Sequence, residues 1–377
     1  MDTGFIVAVV VVTALAFDFT NGFHDSGNAM ATSVATGAMR PRIAVVIGAV
    51  LNIVGALLST EVAKTISGGI VNDNLVTPVM VFAGLCGAIV WNLLTWLFGL
   101  PSSSSHALFG GLIGAVLIGA GASGINFSTI VSKILLPTVI SPVVAGIAAL
   151  MATFIAYKIA TRGRDTSRGF KRGQVISSSM VALAHGTSDG QKTMGVITLV
   201  LITANMQRSG TGPQLWVIFA AGLAIGLGTL SGGWRIMRTM GRGLVDIEPP
   251  QGLAASASSA SAILAASHFG FGLSTTQVCS GSILGSGVGR RLAEIRWGTA
   301  GRMVIAWVFT LPAAAVVGGL CAAVANTGTV GTMLVFAALV GSAASIWTIA
   351  QRNAVTAHNV IDTHTVAVLP QPVLVPA

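Results

Sequence analysis

The sequence predicts an all-α polytopic membrane protein built as two inverted repeats. Three observations predict it: too few charges for a water-facing surface, a succession of long apolar runs, and two pairs of polar motifs that recur in the same order.

Only 8% of the 377 residues are charged, 53% are hydrophobic, and the mean hydropathy is +0.84. A soluble domain carries about 25% charged residues, so most of this surface has to face lipid. The net charge of +9 does not point to nucleic acid. Such a face needs its cations gathered on one surface with aromatics between them. Here they punctuate the apolar runs, in three clusters: Arg162, Arg164, Arg168, Lys171 and Arg172; Arg235, Arg238 and Arg242; Arg290, Arg291, Arg296 and Arg302. Cytoplasmic loops of membrane proteins have this character. Cys86, Cys279 and Cys321 lie in apolar or Gly-rich runs without ligand spacing, so neither a disulfide frame nor a zinc site is indicated.

A membrane-crossing helix needs about 20 mostly apolar residues. Runs of this kind cover 4–36, 43–60, 78–100, 103–122, 127–159, 174–204, 213–233, 251–268, 272–289, 303–325 and 329–350. The expectation is therefore about 10–12 membrane segments. The first run has no basic leader and no small-residue cleavage site, and reads as a span and not a signal peptide. The first and sixth are long and contain Gly and polar residues, so each is expected to break in its middle. The Gly/Ser-rich stretches 101–122 and 272–289 are short enough to be re-entrant hairpins. An extracytoplasmic N-terminus puts Arg40, Arg42 and the three basic clusters inside, and Glu61, Asp73 and Arg208 outside. The division that follows is a first repeat over 1–160, a basic cytoplasmic linker over 161–173, a second repeat over 174–350 and a low-charge tail over 351–377.

The repeat is legible in the motifs. Residues 21–25 read Asn-Gly-Phe-His-Asp and residues 185–189 read His-Gly-Thr-Ser-Asp. Farther on, GLPSSSSHALFGGLIG at 99–114 aligns with GFGLSTTQVCSGSILG at 270–285. Ser103, Ser104, Ser105 and His106 then match Ser274, Thr275, Thr276 and Gln277, while Gly110 and Gly114 match Gly281 and Gly285. The offsets are 164 and 171 residues, and the two halves start on opposite sides by the charge count. Inverted repeats with broken helices at the midplane are an architecture of secondary transporters.

On NGFHDSGNA at 21–29, GLPSSSSH at 99–106, AHGTSDGQKTMG at 184–195 and GLSTTQ at 272–277, the chain resembles the PiT family of inorganic phosphate transporters. The resemblance spans about residues 10–350. It implies symport of phosphate with Na⁺ or H⁺, a two-repeat fold, and a substrate held near the midplane by both hydroxyl-rich motifs. In the commonest family pattern Asn precedes each aspartate; here His24 and Ser188 do. That departure resembles the bacterial low-affinity branch, which is H⁺-coupled and takes phosphate with a divalent metal. H⁺ is therefore favoured over Na⁺.

The residues suit this chemistry on their own terms. Ser at a helix start caps free N–H groups, and the same N–H groups attract an anion. The expected phosphate-binding residues are Ser103, Ser104, Ser105, Ser274, Thr275, Thr276, Gln277 and Gln191. An intramembrane carboxylate is functional by default, and Asp18, Asn21, Asp25 and Asn28 form one helical stripe at i, i+3, i+7 and i+10. His185, Asp189 and Lys192 repeat it at i, i+4 and i+7. The expected coupling-ion residues are Asp25, Asp189, Asn21, Asn28, His24, Ser188 and Lys192, with an Asp189–Lys192 structural pair as the plainer reading of the lysine. His24 suits a proton carrier because imidazole titrates near neutral pH. His106 would orient the Ser run, His268 would pack, and His358 and His364 have no apparent role. Gly22, Gly27, Gly186 and Gly190 would either permit close packing or let the motifs unwind so that carbonyls bind ions.

Three competing readings remain. Sulfate shares the tetrahedral shape of phosphate. An intramembrane enzyme would use Ser105 and His106, or Ser267 and His268, but neighbours on a helix point about 100° apart and there is no GxSxG elbow. A channel fits duplicated ion sites less well than alternating access does. The reading is accordingly a transporter and not an enzyme, with no catalytic residue, no cofactor and no assigned metal ligand. Its partners are phosphate, a coupling cation and the lipid bilayer; nucleic acid is excluded and a homodimer is left open.

Overall fold

The computed structural model describes residues 3–161, 167–290 and 295–361. Arg162, Arg164, Arg291, His364 and most of the tail lie outside the described residues. Among the described residues there is no strand, only two isolated bridges, Val71 with Ile125 and Val245 with Ile295. The chain is an all-α polytopic membrane protein. Five helices are by themselves long and apolar enough to span a membrane, or seven spans if each of two bent pairs counts as one.

Helix α1 (Thr3–Ala35) is continuous for 33 residues. The expected break in its middle does not occur: Asp18, Asn21, Asp25 and Asn28 are all buried within unbroken helix. The breaks fall elsewhere. Helix α2 (Pro41–Ala56) bends by 64° into α3 (Glu61–Gly69). Farther along, α10 (Leu215–Ser231) bends by 61° into α11 (Trp234–Arg238) and a π-helical turn (Thr239–Gly243). At the second bend Gly232 has φ +81°, a conformation that favours Gly. The sixth apolar run is interrupted as expected, but by added residues and not by unwinding: α8 (Ser167–His185) passes through a π turn (Gly186–Gly190) into α9 (Gln191–Thr203). A π turn inside a helix is rare and is frequent at functional sites.

Helices α4 (Pro78–Leu97) and α5 (Ser104–Ala120) form a hairpin, and α12 (Pro249–His268) and α13 (Thr275–Gly289) form a second. Both α4 and α12 are 20 residues long and begin on Pro, whose missing N–H costs nothing at a helix start. The connectors carry Gly99 and Gly270 at φ +63° and +67°. They end in Ser103 and Ser274, each with extended φ/ψ and each capping the following helix: Ser103 Oγ accepts from His106 N and Ser274 Oγ from Gln277 N. Residues 101–103 and 272–274 are buried. Thus the hydroxyl-rich motifs are turned inward.

Long apolar helices enclose this centre. A short α6 (Phe127–Ile130) runs through a π turn into α7 (Leu136–Ala160), and α14 (Trp297–Ala325) and α15 (Thr329–Arg352) complete the chain. Helix α5 packs on α14 and α4, and α13 on α7 and α12. Val139, Val308 and Leu320 are among the exposed residues of the outer helices, as a lipid-facing surface requires.

The glycines of the two aspartate motifs serve packing. A Cβ on Gly22 would overlap the Ile225 carbonyl oxygen of α10, and one on Gly186 would overlap the Asn52 carbonyl oxygen of α2. The first motif stays helical, so the unwinding expected of Gly22 and Gly27 is not found. Close approach of small residues holds helices together where lipid supplies no hydrophobic drive.

Candidate functional site

Helix α1 delivers Asp25 and the π turn delivers Asp189 to one buried point. Both are 0% exposed, and His185 stands between them at 1%. His185 Nε2 lies 3.7 Å from Asp25 Oδ2 and 3.5 Å from Asp189 Oδ2. Its other nitrogen fixes its chemistry. Thr229 donates its hydroxyl proton to the Ile225 carbonyl at 2.8 Å, so it accepts from Asn52 Nδ2 at 2.7 Å. Asn52 is thereby oriented with Oδ1 toward His185 Nδ1, 3.0 Å away. An amide oxygen only accepts, so Nδ1 carries the N–H and neutral His185 presents a bare lone pair at Nε2.

That lone pair and two carboxylate oxygens converge, and no donor reaches Nε2 itself. Nε2 has no hydrogen-bond partner, and the three ligand atoms lie within 4.8 Å of one another. Three electron-rich atoms this close, away from water, repel unless a positive charge joins them. The arrangement can hold a proton on Nε2 or a cation between the three groups.

The hydroxyl motifs surround this point. Ser104 donates to Asp25 Oδ2 at 2.9 Å. Thr276 donates to Asp25 Oδ1 at 3.3 Å. Thr275 lies 3.3 Å from Asp189 Oδ2 and 3.5 Å from Asp25 Oδ2, so its one proton serves both carboxylates. Each half also reaches across. Asn28 Nδ2 donates to Thr276 Oγ1 at 2.8 Å. Lys192 Nζ donates to Asp189 Oδ1 at 2.5 Å, to Leu273 O at 3.0 Å, and to Ser105 Oγ. Ser105 in turn donates to Leu273 O at 3.3 Å. His24 links Asp25 outward: Nδ1 is 2.7 Å from Asp25 Oδ1 and Nε2 is 3.3 Å from Thr95 Oγ1, which accepts from Ser102 at 2.8 Å.

Of the residues expected from the sequence, Asp25, Asp189, Lys192, Asn28, His24, Ser104, Ser105, Thr275 and Thr276 form this one network. Ser103 and Ser274 stand beside it with their oxygens engaged as helix caps. Gln277 is buried with Oε1 unpartnered. Asn21 and Ser188 are buried with side-chain polar atoms unpartnered, as is Asn28 Oδ1. Gln191 points elsewhere: its oxygen accepts from Val62 N at 2.8 Å and Ala63 N at 3.3 Å, capping the start of α3, and its amide donates to Thr187 O. His106 contacts Thr138 Oγ1 at 2.5 Å, His268 packs edge-on against Phe269, and His358 meets Arg42 at 3.0 Å.

Sequence reasoning left His185 out of the candidate ion residues, although its alignment with Asn21 and its place in the second stripe were visible. It had no signal for Asn52 and Thr229, which act only through His185. Asp18 belongs to the stripe and not to the expected site residues; it is fully buried with neither oxygen hydrogen-bonded.

Two overlapping stretches of the chain, 21–169 and 158–318, match the phosphate transporter family. A Mycobacterium bovis protein named "Probable low-affinity inorganic phosphate transporter" is 54% identical over 94% of this chain and 87% of its own length. A Bacillus subtilis protein with the same name is 42% identical over 86% of this chain and 99% of its own. Among solved structures, one titled "The sodium-dependent phosphate transporter" matches with a TM-score of 0.78 at 24% identity, covering 86% of this chain and 100% of that one. The last similarity establishes the fold.

Proposed function

The chain belongs to the phosphate transporter family, and on that premise we propose that it is a secondary symporter of inorganic phosphate, with H⁺ favoured as the driving ion. The observation that carries this reading is the meeting of Asp25, Asp189 and the bare Nε2 of His185 at one dry point.

Coupling follows from where the hydroxyl protons go. With the carboxylates ionised, Ser104, Thr275 and Thr276 donate to Asp25 and Asp189. A phosphate dianion is then refused twice: the Asp25 carboxylate, which has no Lys or Arg partner among the described residues, repels it, and the donors it needs are in use. A proton or cation taken up among Asp25, Asp189 and His185 removes the repulsion. The hydroxyls are then free to turn toward the anion, together with the N–H groups at the starts of α5 and α13. Binding of each ion thereby favours binding of the other, as symport requires. The chain His24–Thr95–Ser102 gives Asp25 a hydrogen-bonded route away from the centre.

The two halves, 1–160 and 174–350, are read as inverted repeats joined by the basic segment 161–173, with the N-terminus extracytoplasmic and the basic loops cytoplasmic. Each contributes one aspartate motif and one hydroxyl motif. A second reading, in which phosphate enters with a divalent metal as cargo, is favoured by the same three ligand atoms, since two carboxylates and an imidazole suit such an ion.

The test is phosphate uptake into proteoliposomes with pH and Na⁺ gradients imposed separately. A pH gradient alone is expected to drive accumulation, and sulfate is expected to compete weakly. Uptake driven by Na⁺ alone, and indifferent to pH, contradicts H⁺ coupling. Uptake that rises on adding Mg²⁺ and carries the metal in proportion supports the second reading.

A further inference from the structure

Asp25 and Asp189 are matched in sequence, but only one of them has a fixed positive partner. Three residues after Asp189 stands Lys192; three residues after Asp25 stands Asn28. The Lys192 side chain is 1% exposed. Its ammonium sits among three oxygens of different kinds and from different segments: the Asp189 carboxylate at 2.5 Å, the Leu273 carbonyl at 3.0 Å, and the Ser105 hydroxyl. A carboxylate, a carbonyl and a hydroxyl are the ligands a hard cation takes from a protein.

The corresponding place in the first half holds no such charge. Asn28 Nδ2 reaches Thr276, the residue aligned with Ser105, at 2.8 Å, and Asn28 Oδ1 has no partner. Among the described residues no Lys or Arg pairs with Asp25; its neighbours are hydroxyls and the two imidazoles.

We propose that the Lys192 ammonium is a tethered counter-ion that permanently fills the cation position of the second half, so that the transporter loads a mobile ion only at Asp25 and His185. This inference rests on the symport reading above. The fixed charge offsets one aspartate at every stage of the cycle. It also bridges the start of α5 to the turn before α13, so the hydroxyl motifs of both halves are held around a charge that never leaves. A neutral Asn at this position, as in the first half, would leave a second vacancy for a small monovalent cation.

Lys192→Asn tests this directly. Initial phosphate uptake into proteoliposomes is measured at equal pH on both sides, with NaCl replaced stepwise by choline chloride. The wild type is expected to show no requirement for Na⁺. In choline the variant is expected to fall about 100-fold, the scale of an uncompensated buried charge, and Na⁺ is expected to restore most of the loss. Na⁺ should likewise raise the melting temperature of the purified variant and not that of the wild type. A variant whose uptake and melting are both indifferent to Na⁺, whether active or dead, overturns the proposal. So does one whose phosphate KM rises by the same factor in Na⁺ and in choline, since the lysine would then be a phosphate ligand.

Asn28→Lys supplies the converse and does not depend on how Lys192→Asn folds. A second tethered charge beside Asp25 is expected to abolish pH-driven accumulation while preserving exchange of external for internal phosphate. Accumulation at the wild-type level in Asn28→Lys also overturns the proposal. A wild-type protein that accumulates phosphate under neither gradient would instead sink the symport reading itself.

Discussion

Asp25 and Asp189 lie on matching segments, α1 and the π turn after α8, and both accept from Thr275. Around Asp25 the other partners are Ser104, Thr276 and two imidazoles, with no Lys or Arg among them. Around Asp189 the nearest partner is an ammonium at 2.5 Å. The motif repeats in the sequence while the charge does not. Two matched motifs can therefore offer a carboxylate that exchanges its partner and another that keeps it, and a single residue three positions downstream makes the difference.

The largest expected effect separates the two aspartates by stability. Asp189→Asn leaves Lys192 buried without its carboxylate and should cost about 3–5 kcal/mol, lowering the melting temperature as well as abolishing uptake. Asp25→Asn leaves no charge stranded; the amide oxygen can still accept from Ser104 or from Thr276, which reach different carboxylate oxygens, and the NH2 can donate to the other hydroxyl. It should abolish uptake with a stability loss of about 1 kcal/mol. Equal melting temperatures for the two variants would break the comparison.

Next in size are the hydroxyls. Thr275→Ala removes the one donor shared by both carboxylates and Ser104→Ala a donor to Asp25 alone. Each should weaken phosphate binding by about 1.5–3 kcal/mol, the range for a hydrogen bond to a charged group, with Thr275→Ala the larger. Titration of the purified protein with phosphate measures both.

A smaller effect is expected at Asn52, which touches neither ion. Asn52→Ala frees His185 Nδ1 from its acceptor and lets the ring carry its proton on Nε2. That should alter the pH profile of uptake while changing phosphate KM less than Ser104→Ala does. An unchanged pH profile would remove Asn52 as the positioning residue of His185.

The smallest effects sharpen the role of the caps. Ser103→Ala and Ser274→Ala should each cost about 1 kcal/mol of stability and change phosphate affinity less than Ser104→Ala does. A larger loss of affinity than of stability at either position would make it an anion ligand.

Much of this was legible in the sequence. The scarcity of charge gave the lipid-facing class, the run lengths gave helices close to those found, and the recurring motifs gave most of the network. What stayed hidden has physical reasons. The bends between α2 and α3 and between α10 and α11 accompany tertiary packing, α3 on α9 and α11 on α1, which apolar periodicity does not record. Continuity of α1 was obscured because buried polar residues look alike whether a helix continues or unwinds. Gln191 lies within a motif yet caps α3, since adjacent side chains on a helix diverge by about 100°. Asn52 and Thr229 are ordinary polar residues in apolar runs, and only their contacts with His185 give them a role.

Protons counted during phosphate binding test the central claim most directly. Purified protein in detergent, in weakly buffered alkaline solution where phosphate is already the dianion, is mixed with phosphate and the pH is followed. The wild type is expected to take up about one proton per phosphate bound, as linkage between the two ions requires, and Asp25→Asn is expected to take up none. Tight phosphate binding to the wild type with no proton uptake, in the absence of any other cation, would contradict the account.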